Sequence, residues 1–348
     1  MKAIFKQEPA PGAVVKDAPI PVPGPDEVLV KVKATTICGT DVHIYTWDEW
    51  SQGRIKPPMI FGHEFSGEVV EVGKNVKSIK PGDFISAETH IACGYCYQCK
   101  TGNKHLCENV KILGVDVNGA FAEYVKIPEE NAWKNDASLP PEVAAMQEPF
   151  GNAVHATLIE DVTAKSVSVF GAGPIGIMSA MVARASGARL IVIVEPDEYR
   201  RNLAQKMGFK HVINPVDTDP VEYILDHTSG LGVDVFLEMS GAQKAIEQGL
   251  KSTRKGGRVS FLGIPKSHIT LDFAEDVVFR GLRMYGINGR LMFDTWFKIK
   301  AFLDSGLVDL RPLITHKFTF EDVDKAMELL INKKAGKIVL YPDKQEGE

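Results

Sequence analysis

A glycine-rich segment at residues 171–176 constrains the fold of this chain more than any other feature of the sequence. It reads GAGPIG, follows the apolar run SVSVF and leads into the helical run PIGIMSAMVARASG. In a G-x-G-x-x-G motif, Gly171 would make a tight turn, Gly173 would admit a pyrophosphate, and Gly176 would let the helix pack on the strand. The amides at the helix N-terminus then bind the phosphates. The motif predicts a dinucleotide site, and a tight turn without a ligand is the alternative.

The pattern of the sequence changes near residue 151. Before it, short apolar runs such as EVLVKV alternate with turn residues, which predicts antiparallel strands in a small barrel. After it, apolar runs alternate with helical runs, which predicts βαβ units and a parallel sheet. The last helical runs and the strand GKIVLYP are expected to return to the first domain. With 348 residues, two domains are expected: residues 1–150 with 291–348, and residues 151–290.

A carboxylate after the second apolar run favours one dinucleotide over another. Glu195 lies about twenty residues beyond the glycine motif, where it can accept hydrogen bonds from ribose hydroxyls and repel a 2′-phosphate. The sequence therefore predicts NAD in preference to NADP. Arg200 follows, and an arginine near this pocket can accommodate a phosphate. We interpret Arg200 as a contact on the ribose or adenine side, with a solvated surface charge as the alternative.

Four of the five cysteines crowd into the segment HIACGYCYQCKTGNKHLC. Their spacing, CxxCxxCx7C, is typical of a metal site rather than of disulfides. Four thiolates held this close, with glycines to bend the loop, fit the closed tetrahedral site of a structural Zn²⁺ ion. An iron–sulfur cluster, which also takes four cysteines, is the chemical alternative. The predicted ligands are Cys93, Cys96, Cys99 and Cys107.

The fifth cysteine indicates a second metal site. Cys38 lies in TTICGTDVHIY, and the segment GHEF with His63 and Glu64 follows about 25 residues later. One cysteine, one histidine and one carboxylate can hold Zn²⁺ while leaving a position open for water or substrate, as catalysis requires. From spacing alone, a buried small apolar cysteine and an ordinary histidine are the alternative.

The charge balance excludes several classes of partner. The net charge is −5 and no run of five or six basic residues occurs, so nucleic acid and anionic membranes are not expected partners. No apolar stretch approaches the roughly 18 residues that cross a bilayer, and the opening residues lack the apolar core of a signal peptide. We therefore expect a cytoplasmic protein that folds throughout.

These motifs, in this order and over essentially the whole chain, resemble the zinc-containing medium-chain dehydrogenase/reductase family. The resemblance is carried by Cys38, GHEF, the four-cysteine lobe and GAGPIG. It implies an α/β fold, with a GroES-like β-barrel catalytic domain split around a Rossmann domain, a doubly wound parallel sheet. It also implies an NAD-linked enzyme with one catalytic and one structural zinc ion per chain, and it supports Cys38 and His63 as ligands.

Within the family, CGTDVHIYTWDEW, QEPFGNAVH and YGINGR are similar to segments of bacterial and archaeal enzymes that oxidise L-threonine at its 3-hydroxyl. By this likeness Glu148 replaces a cysteine that the family's alcohol dehydrogenases use as a zinc ligand. Either Glu64 or Glu148 then coordinates zinc, exchanges with water or relays a proton. Thr40 and His43 match the family's proton relay, with a turn hydroxyl and a solvent-facing histidine as the alternatives. The likeness also implies a homotetramer.

Two further segments match those that line the nicotinamide side of the family's cofactor site. Leu262, Gly263 and Ile264 follow the apolar run GRVSF. Gly286 and Ile287 lie in YGINGR. A βα loop and a sheet edge without a ligand are the alternatives for these residues.

Two other functions compete with oxidation of L-threonine. A polyol or simple secondary alcohol dehydrogenase would use the same zinc and NAD. A non-catalytic NAD-binding protein would be expected to have lost Cys38 or His63, and both are present. L-Threonine carries two charges that lose water on binding, so its pocket must offer both signs. The candidates are Arg290 for the carboxylate and Glu148 or the zinc ligands for the ammonium, with Trp47 or Trp50 beside the methyl group.

Overall fold

The computed structural model describes residues 1–343 as two compact units. Unit 1 consists of residues 1–149 and the segment that begins at Leu313, and unit 2 consists of Phe150–Pro312. The chain therefore leaves unit 1, builds unit 2 and then returns. Within residues 1–343, no helix combines the length and the apolar character needed to span a membrane.

Strands predominate in the first part of the chain, and strands alternate with helices from β11 onward. The strands are β1 (Lys2–Lys6), β2 (Val14–Asp17), β3 (Glu27–Thr36), β4 (Met59–Ile60), β5 (Glu64–Val72), β6 (Phe84–Ala87), β7 (His90–Ile91), β8 (Lys111–Ile112), β9 (Tyr124–Pro128), β10 (Ala132–Lys134), β11 (Ser166–Phe170), β12 (Leu190–Val194), β13 (His211–Ile213), β14 (Val233–Glu238), β15 (Thr253–Phe261), β16 (Arg283–Gly286), β17 (Ile314–Thr319) and β18 (Lys337–Tyr341). The helices are α1 (Gly39–Thr46), α2 (Glu49–Arg54), α3 (Tyr97–Lys100), α4 (Pro141–Ala145), α5 (Gln147–Leu158), α6 (Pro174–Ala185), α7 (Glu198–Lys206), α8 (Pro220–Asp226), α9 (Gln243–Ser252), α10 (Asp294–Asp304) and α11 (Val323–Ile331).

Unit 1 is built on a seven-stranded sheet in the order β10-β6-β5-β3-β18-β17, with β9 also paired to β3. Its pairings are antiparallel except for β17 with β18. In the long strand β3, exposed Lys31 and Lys33 alternate with buried valines, so one face meets water and the other meets the core. Strand β1 lies between β2 and β4 in a separate three-stranded sheet. The residues that pack inside the larger sheet include Val28, Val30, Phe65, Ile85, Val125 and Ile127.

Unit 2 contains a six-stranded sheet in the order β13-β12-β11-β14-β15-β16, and every pairing is parallel. This is the order of a doubly wound dinucleotide-binding sheet. The central strand β11 reads SVSVF and is buried at all five positions. Helices α6 and α9 pack against it, which is why its sequence does not alternate between polar and apolar residues. The predicted parallel sheet is confirmed.

The chain returns to unit 1 later than the sequence predicts. The expected return is at residue 291, but residues 291–312, which include α10, belong to unit 2. The Phe302 ring of α10 meets the Phe150 ring of α5 edge-on, with centroids 6.3 Å apart. Trp296 of the same helix is fully buried. These apolar contacts keep α10 in unit 2, and helical periodicity alone does not reveal which neighbour a helix covers.

Gly249 allows a test of how closely α9 packs on the parallel sheet. A Cβ at this position would lie 2.0 Å from Phe236 Cζ in β14. We expect Gly249→Ala to lower the free energy of unfolding by about 1–3 kcal/mol, the usual cost of overpacking a core, as measured by urea denaturation. Gly53→Ala is the control, because a Cβ on Gly53 in α2 would meet nothing within 4 Å and alanine favours helices. Equal destabilisation by both substitutions would contradict this close packing.

Candidate active site and metal centres

The four clustered cysteines meet in unit 1, in the lobe between β7 and β8. Their sulfur atoms all lie within 4.8 Å of one another, and none of the four forms a disulfide. Cys96 Sγ is 3.5 Å from Cys99 Sγ and 3.8 Å from Cys107 Sγ. Gly94 and Gly102 have φ angles of 79° and 85°, so glycine is needed where the loop bends. The structure therefore brings together all four predicted ligands.

The geometry of the cysteine lobe fits one tetrahedral zinc ion. Zn–S bonds of about 2.3 Å place two thiolates about 3.8 Å apart, close to the separations observed here. Burial opposes ionisation of Cys93, but backbone amides outweigh it and lower the pKa of this thiol to about 6. Burial and the neighbouring Cys96 raise the pKa of Cys99 to about 12. The four thiols can all ionise only around a cation, and an iron–sulfur cluster would hold the sulfur atoms farther apart.

A second group of possible ligands lies at the start of α1 and of β5. One ligand atom each from Cys38, His63 and Glu64 lie within 4.8 Å of one another. Cys38 is the N-cap of α1, and Glu64 is the first residue of β5. Gly62 precedes His63 with a φ of 84°, and a Cβ there would lie 2.2 Å from the Phe121 ring. The local turn therefore requires glycine and directs His63 toward Cys38.

The Glu64 carboxylate is fully buried and is held on one side only. Thr36 Oγ1 and Lys337 Nζ both donate to its Oε2 atom. Lys337 Nζ also donates to Ile37 O at 2.9 Å. Among residues 1–343, Glu64 Oε1 has no hydrogen-bond partner. A buried oxygen without a partner is costly, so this atom fits a metal ligand facing Cys38 and His63.

Asp41 is a buried acid of this site that the sequence analysis missed. Its Oδ2 accepts a hydrogen bond from Cys38 N at 2.8 Å, and its Oδ1 lies 3.7 Å from His63 Nδ1. Burial raises the pKa of Asp41 to about 6, although His63 opposes this. The available signal was its position at N3 of α1, where an acid completes a capping box with the N-cap residue.

The charge around His63 is negative. Burial favours the neutral ring, but nearby acidic groups outweigh it and hold the pKa of His63 well above its ordinary value. The groups responsible are Asp41, Cys38 and Glu148. A divalent cation placed among these groups would replace the proton as their counter-charge. Both the negative charge around His63 and the close approach of Cys38, His63 and Glu64 therefore fit a metal ion.

The three residues predicted for proton transfer lie in different surroundings. Thr40 Oγ1 is 3.7 Å from Cys38 Sγ. Glu148 is buried, and its Oε1 accepts a hydrogen bond from Thr89 Oγ1 at 3.0 Å. The His43 side chain is 51% exposed and its Nδ1 lies 2.5 Å from Asp48 Oδ2. Thr40 and Glu148 are thus placed at the second ligand group, and His43 lies one helical turn beyond Thr40.

The glycine motif in unit 2 has the three properties expected of a dinucleotide site. Gly171 has a φ of 100° and makes the turn after β11. A Cβ on Gly173 would meet nothing within 4 Å, so the space above this residue is open. A Cβ on Gly176 would lie 1.9 Å from Gly171 O, so helix and strand are in close contact. Ile175 is half-buried in the first turn of α6. The open space at Gly173 fits a pyrophosphate at the N-terminus of α6.

Glu195 supports the glycine motif directly. This buried carboxylate accepts hydrogen bonds from Ala172 N at 2.6 Å and Asp197 N at 2.9 Å. Each oxygen keeps a further lone pair, so these bonds leave room for ribose hydroxyls. Arg200 is half-buried, and its Nε has no hydrogen-bond partner among residues 1–343. Glu195 therefore lies beside the glycine turn, and a contact of Arg200 on the ribose or adenine side stays a prediction.

The predicted nicotinamide segments lie at the carboxyl ends of β15 and β16, in the same parallel sheet as β11. Leu262 N and Gly263 N donate to Glu238 O at 3.0 and 3.1 Å. Ile264 is 88% exposed. Gly286 ends β16, and Ile287 N donates to Phe261 O at 2.9 Å. Ligands bind at this edge of open parallel sheets, so these segments are suitably placed for a cofactor.

Arg290, the candidate for the substrate carboxylate, is buried in unit 2. It is 1% exposed and its Nη1 donates to Asn152 Oδ1 at 3.2 Å. A Cβ on Gly151 would lie 2.6 Å from Arg290 Cδ, so the side chain is packed along α5 inside unit 2. The aliphatic part of Arg290 thus packs on α5, and its assignment to the substrate carboxylate stays a prediction.

Comparisons with known proteins agree with these features. Residues 24–139 match the family model described as alcohol dehydrogenase GroES-like domain, and residues 174–305 match the model described as zinc-binding dehydrogenase. The first match confirms the predicted GroES-like domain. The second match begins at Pro174, inside the glycine motif, and covers β12 to β16 of the parallel sheet.

Relatives of known name match over nearly the full length. The L-threonine 3-dehydrogenase of Caldanaerobacter subterraneus subsp. tengcongensis is 54% identical, over 98% of this chain and 99% of that protein. The L-threonine 3-dehydrogenase of Thermococcus kodakarensis is 51% identical, over 99% of each chain. The structure of 2R,3R-butanediol dehydrogenase from Bacillus subtilis has a TM-score of 0.88 and 30% identity, over 98% of this chain and 99% of that one. The chain therefore belongs to the zinc-binding dehydrogenases with a GroES-like domain, within the zinc-containing medium-chain dehydrogenase/reductase family.

Proposed function

We propose that this chain is an NAD-dependent L-threonine 3-dehydrogenase, which converts L-threonine and NAD to 2-amino-3-oxobutanoate and NADH. The observation that carries the proposal is identity of 54% and 51% to enzymes of that name over nearly the whole chain. The 2R,3R-butanediol dehydrogenase has the same fold at 30% identity. A polyol or secondary alcohol dehydrogenase remains the second candidate because that fold and metal chemistry would serve it equally well.

The two groups of metal ligands differ in the role that each can serve. The four cysteines of the lobe form a closed set, which is typical of structural zinc. Cys38, His63 and the free oxygen of Glu64 form a three-ligand set that leaves one position for the substrate hydroxyl. Zinc bound there would act as a Lewis acid that lowers the pKa of this hydroxyl. Lys337 holds the other Glu64 oxygen and so fixes the carboxylate.

Residues of unit 1 would move the hydroxyl proton away from the substrate. Thr40, next to Cys38, would accept a hydrogen bond from the hydroxyl and pass the proton toward His43. His43 is exposed and can release it to water. Glu148 is buried near His63 and offers a negative charge for the substrate ammonium. With Glu64 as a ligand, this assignment leaves Glu148 outside the metal shell.

The cofactor would bind through residues of unit 2. NAD accepts the hydride that leaves the substrate carbon. The open space at Gly173 and the amides of α6 would hold its pyrophosphate. Glu195 would accept hydrogen bonds from the ribose hydroxyls and repel a 2′-phosphate. Leu262, Gly263, Ile264, Gly286 and Ile287 would line the nicotinamide side.

The assembly and location of the protein belong to the same proposal. We retain the homotetramer implied by family resemblance, and a cytoplasmic location implied by the sequence. Both are tested by ordinary means: light scattering of the purified protein for its mass, and cell fractionation for its location.

The two zinc sites should be separable by mutation. Cys96→Ser removes a ligand of the closed set, so it should lower the melting temperature and the zinc content together. Cys38→Ser removes a ligand of the open set, so it should abolish turnover with little change in melting temperature. Metal analysis after zinc reconstitution should give two zinc ions per wild-type chain. A value that never exceeds one would contradict the catalytic metal site.

Cofactor preference should depend on Glu195. Glu195→Gln removes the charge that repels a 2′-phosphate while keeping an acceptor for Ala172 N, so the ratio of kcat/KM for NAD over NADP should fall at least tenfold. Gly173→Ala is the control, because crowding the shared pyrophosphate should weaken both cofactors by similar factors. Equal efficiency of the wild-type enzyme with NAD and NADP would show that the role given to Glu195 is wrong.

The substrate can be tested with a panel of alcohols. We expect kcat/KM for L-threonine to exceed the values for D-threonine, L-serine, 2,3-butanediol and sorbitol, measured as NADH formation. Glu148→Gln should raise KM for L-threonine more than KM for 2,3-butanediol, because the diol has no ammonium group to pair. More efficient turnover of a diol or of sorbitol than of L-threonine would overturn the substrate assignment and leave the zinc dehydrogenase in place.

A further inference from the structure

The connection between α1 and α2 turns the chain back so that Asp48 meets the His43 ring. The Oδ2 atom of Asp48 lies 2.5 Å from His43 Nδ1. The Oδ1 atom accepts a hydrogen bond from Ser51 N at 3.0 Å, which makes Asp48 the N-cap of α2. One carboxylate thus caps a helix with one oxygen and holds a histidine with the other.

The turn that creates this contact is held at several points. Trp47 ends α1 in the left-handed conformation, with φ 58° and ψ 48°, which is uncommon for a bulky residue. Its N–H donates to His43 O at 3.0 Å, and Gln52 Nε2 donates to Trp47 O at 3.0 Å. The buried Lys6 ammonium lies 5.2 Å from the centroid of the Trp47 ring. The approach of Asp48 to His43 is therefore fixed by the fold of this loop.

The contact determines which nitrogen of His43 carries a proton in the neutral ring. Burial opposes ionisation of Asp48, but the Ser51 amide and His43 outweigh it and lower the pKa of this carboxyl below its ordinary value. An ionised carboxylate only accepts hydrogen bonds, so His43 Nδ1 must donate. The lone pair of the neutral ring is then at Nε2. Trp50, whose ring meets the imidazole edge-on at a centroid distance of 6.2 Å, restricts its rotation further.

We propose that Asp48 is a positioning residue of the proton relay, which keeps His43 Nε2 free to accept the proton that leaves the substrate hydroxyl. This inference rests on the proposed function, in which one proton is released for each hydride taken by NAD. The O–H bond of the proton donor breaks and an N–H bond forms at Nε2. Water later removes a proton from the imidazolium. Asp48 itself stays ionised and needs to touch neither substrate nor cofactor.

Helix capping alone does not explain the contacts of both Asp48 oxygens, because only one of them caps α2. A serine or an asparagine would cap α2 equally well, and neither would hold the Nδ1–H form of His43. The pair also contributes little to stability, because the His43 and Asp48 side chains are 51% and 37% exposed and water screens such pairs. A role in proton transfer therefore predicts effects on turnover without matching effects on folding.

The first test is a double-mutant cycle with Asp48→Asn and His43→Ala. In Asp48→Asn the amide oxygen can keep the Ser51 bond, while the amide NH₂ faces His43 Nδ1 and favours the unsuitable tautomer. We expect kcat with L-threonine to fall at least tenfold when His43 is present and less than twofold in the His43→Ala background. Asp48→Ser, which keeps the cap, should also lower kcat only when His43 is present. Equal losses in both backgrounds would overturn the proposal.

Asp219→Asn is the matched control for loss of a charged N-cap. Asp219 caps α8 through Val221 N at 2.7 Å and Glu222 N at 3.4 Å, and no histidine ring within residues 1–343 is its hydrogen-bond partner. The Asp219→Asn variant should leave kcat unchanged. A loss of kcat equal to that of Asp48→Asn would assign the effect to capping in general and overturn the proposal.

The second test observes the tautomer without substrate. NMR spectra of the protein with ¹⁵N-labelled histidine, in which His43 is identified by its absence from His43→Ala, should show the Nδ1–H form in the wild type and the Nε2–H form in Asp48→Asn. An Nε2–H form in the wild type would overturn the proposal. Failure of the wild type to oxidise L-threonine would instead count against the proposed function, and the tautomer would still decide the role of Asp48.

Discussion

Unit 1 depends on the pairing of one buried carboxylate with one buried ammonium. Glu64 is fully buried at the second metal group, and an unpaired charge in such a place would cost several kcal/mol. Its partner Lys337 lies 273 positions later in the sequence, at the start of β18. Strand β18 can supply this partner because it pairs with β3, directly beside the strand that carries Glu64. Strand β18 is thus required to hold Glu64, a candidate metal ligand that lies near the beginning of the chain.

The two metal centres differ in how much of the chain each one needs. The cysteine lobe is formed by ligands within fifteen consecutive positions, and glycines at its bends are sufficient to bring the sulfur atoms together. The group of Cys38, His63 and Glu64 instead needs α1, β5 and β18 in their final places. A local centre suits a structural ion, whereas a centre assembled from distant elements can be adjusted by each of them. The polar contacts of Asp41 and Lys337 are such adjustments.

The difference between local and distant contacts also explains what could be predicted from the sequence. The parallel sheet, the glycine turn and the cysteine lobe depend on residues that are neighbours in the chain, and the structure has all three. Glu195 beside the glycine turn was predicted by a fixed spacing along one βαβ unit. The partner of Glu64 could not be predicted, because nothing in GKIVLYP distinguishes Lys337 from a lysine exposed on a strand. The burial of Arg290 against α5 could not be predicted for the same reason, since it is a tertiary property.

The placement of α10 and the role of Asp48 show two further limits of pattern reading. Helical periodicity identified α10, but it is the tertiary contacts, such as the ring contact of Phe302 with Phe150, that assign it to unit 2. In TWDEW, Asp48 looks like an ordinary helix cap, and its contact with His43 needs a left-handed Trp47 that propensities disfavour. Strained backbone of this kind is found where a fold holds a functional side chain in place.

The divided sequence of unit 1 sets an order on biosynthesis. A ribosome releases the chain from its N-terminus, and domains fold as their residues become available. Phe150–Pro312 is continuous and can close its parallel sheet while β17 and β18 are still being synthesised. Until then the end of β3 at Thr35 and Thr36 lacks its partner strand β18, and Glu64 lacks its ammonium partner. The ligands of the cysteine lobe can meet on the nascent chain, whereas the Cys38 group is complete only once β18 has been synthesised, so chain topology separates the formation of the two ligand sets in time.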